Sequence, residues 1–284
     1  MERTKGFSNF HTHCHLDDGQ GSMEEYVLNA LSKGFNALGF SCHAPGILKD
    51  NWHMREEDFP YYLEEIGRLR TQYRDRIEIY VGLELDYLEG NDTLVGSEYL
   101  DQLDYTIASL HLMQHTQSGE YLSFDGPLED FETLLHDNWQ GDVQQFVTHY
   151  FTLQERMLAN HTFDLLGHCD LIKKHNRDNR YFDPTAGWYK KLTSHLLKTA
   201  HKYNARIEVN TGGIARGSVK ETYPSMEMIK ECHELGIPLT LTSDAHRSSH
   251  IDYYFAQADD QLVQAGYRSL DVLTHGMWQS VSIV

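Results

Sequence analysis

The sequence predicts an α/β fold, a distorted (β/α)7 barrel of the TIM type with its site at the C-terminal ends of the strands. Three observations predict it. Strand-like and helix-like segments alternate along the chain, the pattern of a parallel sheet. Seven strand-like segments end in polar residues of ligand type, at His11/His13, His43, Glu84, His111, His168, Glu208/Asn210 and Asp244/His246. Most steps between them are roughly 27 to 41 residues, about one strand and one helix; only the step to His168 is longer. An open sheet would spread such residues out, whereas a closed barrel brings them to one face. An eight-stranded barrel is the alternative. The chain, residues 1–284, reads as one domain with a pocket-shaping excursion at about 112–160.

The first strand carries Asn9-Phe10-His11-Thr12-His13 and runs into Asp17-Asp18-Gly19. Alternate residues of a strand face one side, so His11 and His13 present two imidazoles together. Gly19 permits a backbone bend after the acidic pair. A helix follows over Ser22–Lys33, with Ser22 and Glu25 as a capping box, Val27, Leu28 and Leu31 as the apolar face, and Gly34 as its stop. The second strand, Phe35–Cys42, ends at His43-Ala44-Pro45, where proline prevents simple continuation. Gly46–Pro60 is an irregular loop holding Trp52, and Tyr61–Arg74 is an amphipathic helix. The third strand, Ile77–Leu85, sets Glu84 among apolar residues. A carboxylate there needs a partner, and a shared metal supplies one.

The fourth strand, Tyr105–His111, again ends on histidine. A loop, Ser123–Pro127, and helical material over Leu128–Asn160 precede the fifth strand, Phe163–Gly167, which leads to His168. A helix over Thr193–Tyr203 comes next. In the sixth strand, Arg206–Asn210, alternation puts Glu208 and Asn210 on one face. Thr211-Gly212-Gly213 lets backbone amides approach a ligand, with Arg216 nearby. A helix over Ser225–Leu235 stops at Gly236, and the seventh strand, Ile237–Thr242, ends in Ser243-Asp244-Ala245-His246. The tail holds a helix near Asp259–Ala265 and a final strand or helix.

Composition narrows the function. A formal charge of −18 argues against nucleic-acid binding, which needs basic surface. No leader or apolar run of bilayer-spanning length appears, so no membrane partner is expected and the chain reads as cytoplasmic. The four cysteines have no C-x-x-C spacing. Cys14, Cys42 and Cys169 adjoin ligand-type histidines and read as small packing residues facing away from the site.

Nine side chains emerge as candidate metal ligands: His11, His13, Asp18, His43, Glu84, His111, His168, Asp244 and His246. One zinc takes about four ligands, so this set implies two or three divalent ions sharing carboxylates. Histidine and carboxylate sites accept Zn, Mn or Fe. Three such ions bring about +6 against three carboxylates and one hydroxide. The remainder of about +2 suits a phosphate dianion in an otherwise acidic protein.

Taken together, His11-Thr12-His13, Asp18-Gly19, His43, Glu84, His111, His168 and Ser243-Asp244-Ala245-His246 resemble the polymerase-and-histidinol-phosphatase (PHP) family over nearly the whole chain. His43-Ala44-Pro45, Gly82-Leu83-Glu84-Leu85-Asp86-Tyr87, Glu208-Val209-Asn210-Thr211-Gly212-Gly213, Tyr223-Pro224-Ser225 and Gly236-Ile237-Pro238 look like its monofunctional histidinol-phosphatases of histidine biosynthesis. The resemblance implies a trinuclear site, a metal-bridging hydroxide as nucleophile and L-histidinol phosphate as the small-molecule substrate. Glu84 would bridge ions, and Asp244 or His246 would protonate the leaving group. Some relatives carry histidine where Asp18 stands, so Asp17, Asp18 and His15 compete for that position. Arg216 suits phosphate oxygens, with Lys173 or Lys174 assisting. Asp125, Glu208 and Trp52 are the candidates for the amine and imidazole of histidinol. The rival readings are another PHP phosphoesterase, acting on a sugar phosphate, nucleotide or DNA end, an amidohydrolase-type barrel, and a metal-binding or regulatory barrel without turnover.

Overall fold

The structure is a computed structural model that describes residues 7–46, 48 and 50–284. The polar start, Met1–Gly6, and two positions of the 46–60 loop lie outside the described residues. Seven parallel strands pair in chain order: β1 (Phe7–Asn9), β2 (Phe35–Phe40), β3 (Glu78–Leu88), β4 (Tyr105–Ser109), β5 (Leu165–Leu166), β6 (Arg206–Asn210) and β7 (Leu239–Thr242). The first and last strands meet through their extensions. Thr12 and Ala245 form a parallel bridge, with His13 N donating to Ala245 O at 3.0 Å and Ala245 N to His11 O at 3.2 Å. The barrel is thus nearly closed with seven strands, as the motif count predicts.

Helices cover it: α1 (Met23–Ser32), α2 (Phe59–Tyr73), α3 (Leu128–Trp139), α4 (Val143–Asn160), α5 (Gly187–Lys202), the single turn α6 (Gly212–Ala215), α7 (Met226–Leu235) and α8 (Phe255–Ala265). The capping box on α1 forms as expected. Its buried face is Met23, Tyr26, Val27 and Ala30; Leu28 is exposed, so the predicted stripe is rotated. α2 begins before Pro60, because proline in the first turn lacks only an N–H that has no helical partner. α5 starts at Gly187, before the predicted Thr193, because buried Tyr189 packs on Phe151 and Phe182. β5 is only two residues long. Asp164 beside it turns its carboxylate to Thr106 N of β4, while Gly167 N continues the ladder to Ala108 O.

The tail ends in a hairpin of Ser269–Thr274 and Met277–Ser282, not a single strand or helix. Its Leu273 and Trp278 join Phe10, Tyr80, Tyr105 and Ile107 in a cluster separate from the main core. Tyr105 lies across Gly39 and Gly82, where any Cβ would overlap its ring. Its hydroxyl donates to the carbonyls of Phe10 and Phe40. The excursion at about 112–160 is a short hairpin, Leu112–Gln114 with Tyr121–Ser123, followed by α3 and α4. Among the described residues no helix is long and apolar enough to cross a membrane.

Candidate metal centre

The Thr12–Ala245 bridge lays the first motif beside the last, although 230 or so residues separate them. On the other flank, Ser41 N donates to Thr12 O at 2.9 Å, aligning the end of β2. His43 and Glu84 form a further parallel bridge. Gly19 is required for a reason other than the bend expected of it: a Cβ there would overlap the backbone of His13 and Cys14.

Glu84 stands at the centre. Its Oε2 lies 3.1 Å from His11 Nε2, 3.3 Å from His43 Nδ1 and 3.5 Å from His13 Nε2. Its Oε1 lies 3.1 Å from His168 Nε2 and 3.6 Å from His111 Nε2, and accepts from Ser109 Oγ at 2.6 Å. Asp244 Oδ1 is 3.3 Å from His13 Nε2 and 3.4 Å from His246 Nδ1. Asp244 has a φ of 47°, a left-handed conformation that aspartate tolerates better than most residues. Asp18 Oδ1 is 3.2 Å from His246 Nε2 and 3.9 Å from His43 Nε2.

All nine sequence-predicted ligand candidates therefore converge. They form overlapping groups whose ligand-type atoms lie within 4.8 Å of one another, including His13–Asp18–His43–His246, His11–His168–Asp244 and His11–His13–Glu84. Three of their nitrogens, His11 Nε2, His13 Nε2 and His43 Nδ1, are buried without a hydrogen-bond partner. A divalent cation fits such a donor set, because it satisfies lone pairs that no protein group reaches. Without one, the charges must be balanced by protons. Burial pulls the His11 and His13 imidazoles down, and nearby carboxylates more than reverse it, holding both well above their usual range. Burial takes His43 the other way, to about 4. Against their own burial, Glu84 and Asp244 are held well below the carboxylate range, Glu84 by His11, His43 and His111 and Asp244 by Arg216 and His11.

A second layer aims the imidazoles. Glu208 accepts from His11 Nδ1 at 2.8 Å, His168 N at 2.7 Å and Thr242 Oγ1 at 2.7 Å. Asp17 accepts from His13 Nδ1 at 2.7 Å and His43 N at 3.0 Å. Asp86 accepts from His111 Nδ1 at 2.7 Å. A carboxylate has no proton to give, so each imidazole donates through one nitrogen and keeps the other for the centre. Asp17 is occupied in this way and Asp18 faces the cluster, which separates the two acids. His15 is exposed and turns its Nδ1 toward Gly21 O instead.

Residues 8–212 match the PHP domain. The chain belongs to the PHP domain family. It is similar to a Deinococcus radiodurans protein named "Probable histidinol-phosphatase", with 28% identity over 269 residues, 93% of this chain and 96% of that one. Its fold is that of a structure from Listeria monocytogenes, with a TM-score of 0.77 and 23% identity over 88% of this chain and 99% of that one. A histidinol phosphate phosphatase from Lactococcus lactis, solved with zinc, L-histidinol and phosphate, has a TM-score of 0.67 and 17% identity, covering 96% and 98% of the two chains.

In this PHP domain the cluster opens into a cavity of about 850 Å³. Arg216 lines it, with its Nη2 donating to Asp244 Oδ2 at 2.8 Å and its Nη1 to Asp244 O at 3.0 Å. Lys174 also lines it and pairs with Asp125 at 2.9 Å. Trp52 packs edge-on to His43, ring centroids 4.6 Å apart. Two predicted substrate contacts are placed elsewhere. Lys173 is buried outside this cavity, between Asp170 at 2.7 Å and Glu221 at 2.8 Å. Glu208 is fully buried beneath His11, so it supports the cluster and does not meet the cavity. The glycine pair serves close packing: a Cβ on Gly212 would press on Asp244 and Arg216, and Gly212 N is taken by Asn210 Oδ1 at 2.8 Å.

Sequence reasoning passed over Asp86 and His53 as site residues. Asp86 had a signal, since it follows Glu84 by two residues on one strand and so shares its face. His53, in an irregular loop, had none.

Proposed function

We propose that this PHP-domain protein is a metal-dependent phosphomonoesterase that hydrolyses L-histidinol phosphate to L-histidinol and phosphate. The observation that carries the reading is one cavity with a histidine–carboxylate floor, two cations beside it and an acidic, aromatic wall. Divalent ions held by His11, His13, Asp18, His43, Glu84, His111, His168, Asp244 and His246 would supply Lewis-acid stabilisation and an activated water. The nine-donor set suits two or three ions of zinc, manganese or iron.

This chain's residues divide the remaining work. Arg216 presents a planar donor fork to phosphate oxygens, with Lys174 as a second positive charge. His246, half-buried and 3.4 Å from Asp244, would return a proton to the leaving alkoxide from a ring nitrogen that holds no ion, with Asp244 as the alternative. Asp125, with Asp50, Glu120 and Asp130 also lining the cavity wall, suits the ammonium and imidazole of histidinol, and Trp52 offers a flat face. That wall disfavours polyanions such as DNA. The excursion at 112–160 supplies Tyr121 and Asp125 to the cavity, which fits a single domain with an elaborated pocket. The relative named for histidinol-phosphatase supports the substrate.

Phosphate release from L-histidinol phosphate, beside sugar phosphates, nucleotides and single-stranded DNA, tests the proposal with metal-reconstituted protein. Strong preference for histidinol phosphate is expected. Turnover of another ester alone would discard the substrate and keep the site. No turnover with metal bound would discard the phosphatase reading.

A further inference from the structure

A hydrogen-bonded chain runs from the cavity rim to the centre through His53 and Asp86, two residues the proposed chemistry does not use. Asp50, on the rim, accepts from Trp52 N and His53 N, each at 3.0 Å, and its other oxygen accepts from His53 Nδ1 at 2.7 Å. His53 Nε2 donates to Asp86 Oδ2 at 2.9 Å, and Asp86 Oδ1 accepts from His111 Nδ1 at 2.7 Å. Asp86 is wholly buried and His53 only 7% exposed. The His53 ring also lies under Trp52, with centroids 3.8 Å apart, and Met54 N donates to His43 O at 3.2 Å. An irregular loop would not need such an anchor merely to cover apolar surface.

We propose that His53 is a positioning residue that ties the cavity rim to the metal centre. Through Asp86 it fixes the aim of His111, and through Asp50 and Trp52 it fixes the wall of the substrate cavity. Both oxygens of Asp86 are then held by imidazole N–H groups, so its carboxylate cannot rotate. His111 is kept with its proton on Nδ1 and its Nε2 toward the centre. Without His53, buried Asp86 Oδ2 loses its hydrogen-bond donor, since His43 Nδ1 stands 3.8 Å away, and the carboxylate is free to swing away from His111.

The inference rests on the metal-centre reading but not on the substrate. Its test is the rate at which zinc-loaded protein gives up zinc to a colorimetric chelator, with KM and kcat measured alongside. His53→Phe keeps a ring under Trp52 and donates nothing; His53→Gln keeps a donor for Asp86. Zinc loss from His53→Phe should quicken about tenfold or more, the scale for partners of metal ligands. KM should rise with it, and His53→Gln should restore most of both. Equal zinc retention in His53→Phe and the wild type would overturn the proposal. So would equal loss from the Phe and Gln variants. Should His53→Phe fail to fold, Asp50→Ala decides: several-fold faster zinc loss supports the linkage, and unchanged loss refutes it. A wild type that binds zinc but ignores histidinol phosphate would fail the substrate assignment and leave this test intact.

Discussion

Glu84 divides its two oxygens among five imidazoles, and no single salt bridge explains that arrangement. Glu84→Gln keeps the shape and removes the charge, so metal affinity should fall by at least about 100-fold, measured by metal analysis after dialysis. Arg216→Ala should lower kcat/KM on phosphoesters by about 10- to 100-fold, mostly through KM, the worth of a charge-assisted bond. Metal should remain, because Asp244 keeps Asn210 Nδ2 at 3.3 Å. The two neighbouring lysines separate cleanly. Lys173→Ala strands buried Asp170 and should cost roughly 3–5 kcal/mol in denaturant unfolding. Lys174→Ala should raise KM with little change in stability. At this scale the candidate ligands that converge were legible as polar ends of apolar strands. The choice of Lys174 over Lys173 was not, because adjacent residues on one turn face different surroundings.

The elements owe their positions to short local signals, and the site owes its geometry to how they abut. Replacing Ser22 with Ala removes the α1 cap and should cost about 1 kcal/mol by thermal or chemical unfolding, with activity intact. Gly19→Ala is expected to do the reverse, disturbing the site more than the helix. Its Cβ would overlap His13 and Cys14, so metal content should fall while α1 stays folded by circular dichroism. The helix starts at Phe59 and Gly187 escape the local pattern, because the poor helix formers Pro60 and Gly187 are held by position or by packing. The brevity of β5 was also hidden, since the side chain of Asp164 takes over part of the ladder.

For the whole molecule, the charge of −18 and the buried cluster bear on each other. In metal-free protein the surrounding carboxylates outweigh burial and favour the protonated forms of His11 and His13. Metal uptake must therefore expel protons, and affinity should weaken as pH falls. Calorimetry of zinc binding in buffers of different ionisation enthalpy measures the release; none at pH 7 would contradict the protonation pattern. Alternation of seven strands and the candidate ligand types were both readable from the chain. Each follows from periodicity and residue chemistry over short spans. Which carboxylate faces the histidine cluster, which ones stand behind the histidines, and how His53 reaches His111 were decided only by the fold. Those choices depend on contacts between distant segments, such as Thr12 beside Ala245. A side chain's role there is set by which neighbour already holds its hydrogen bonds, and no local pattern records that.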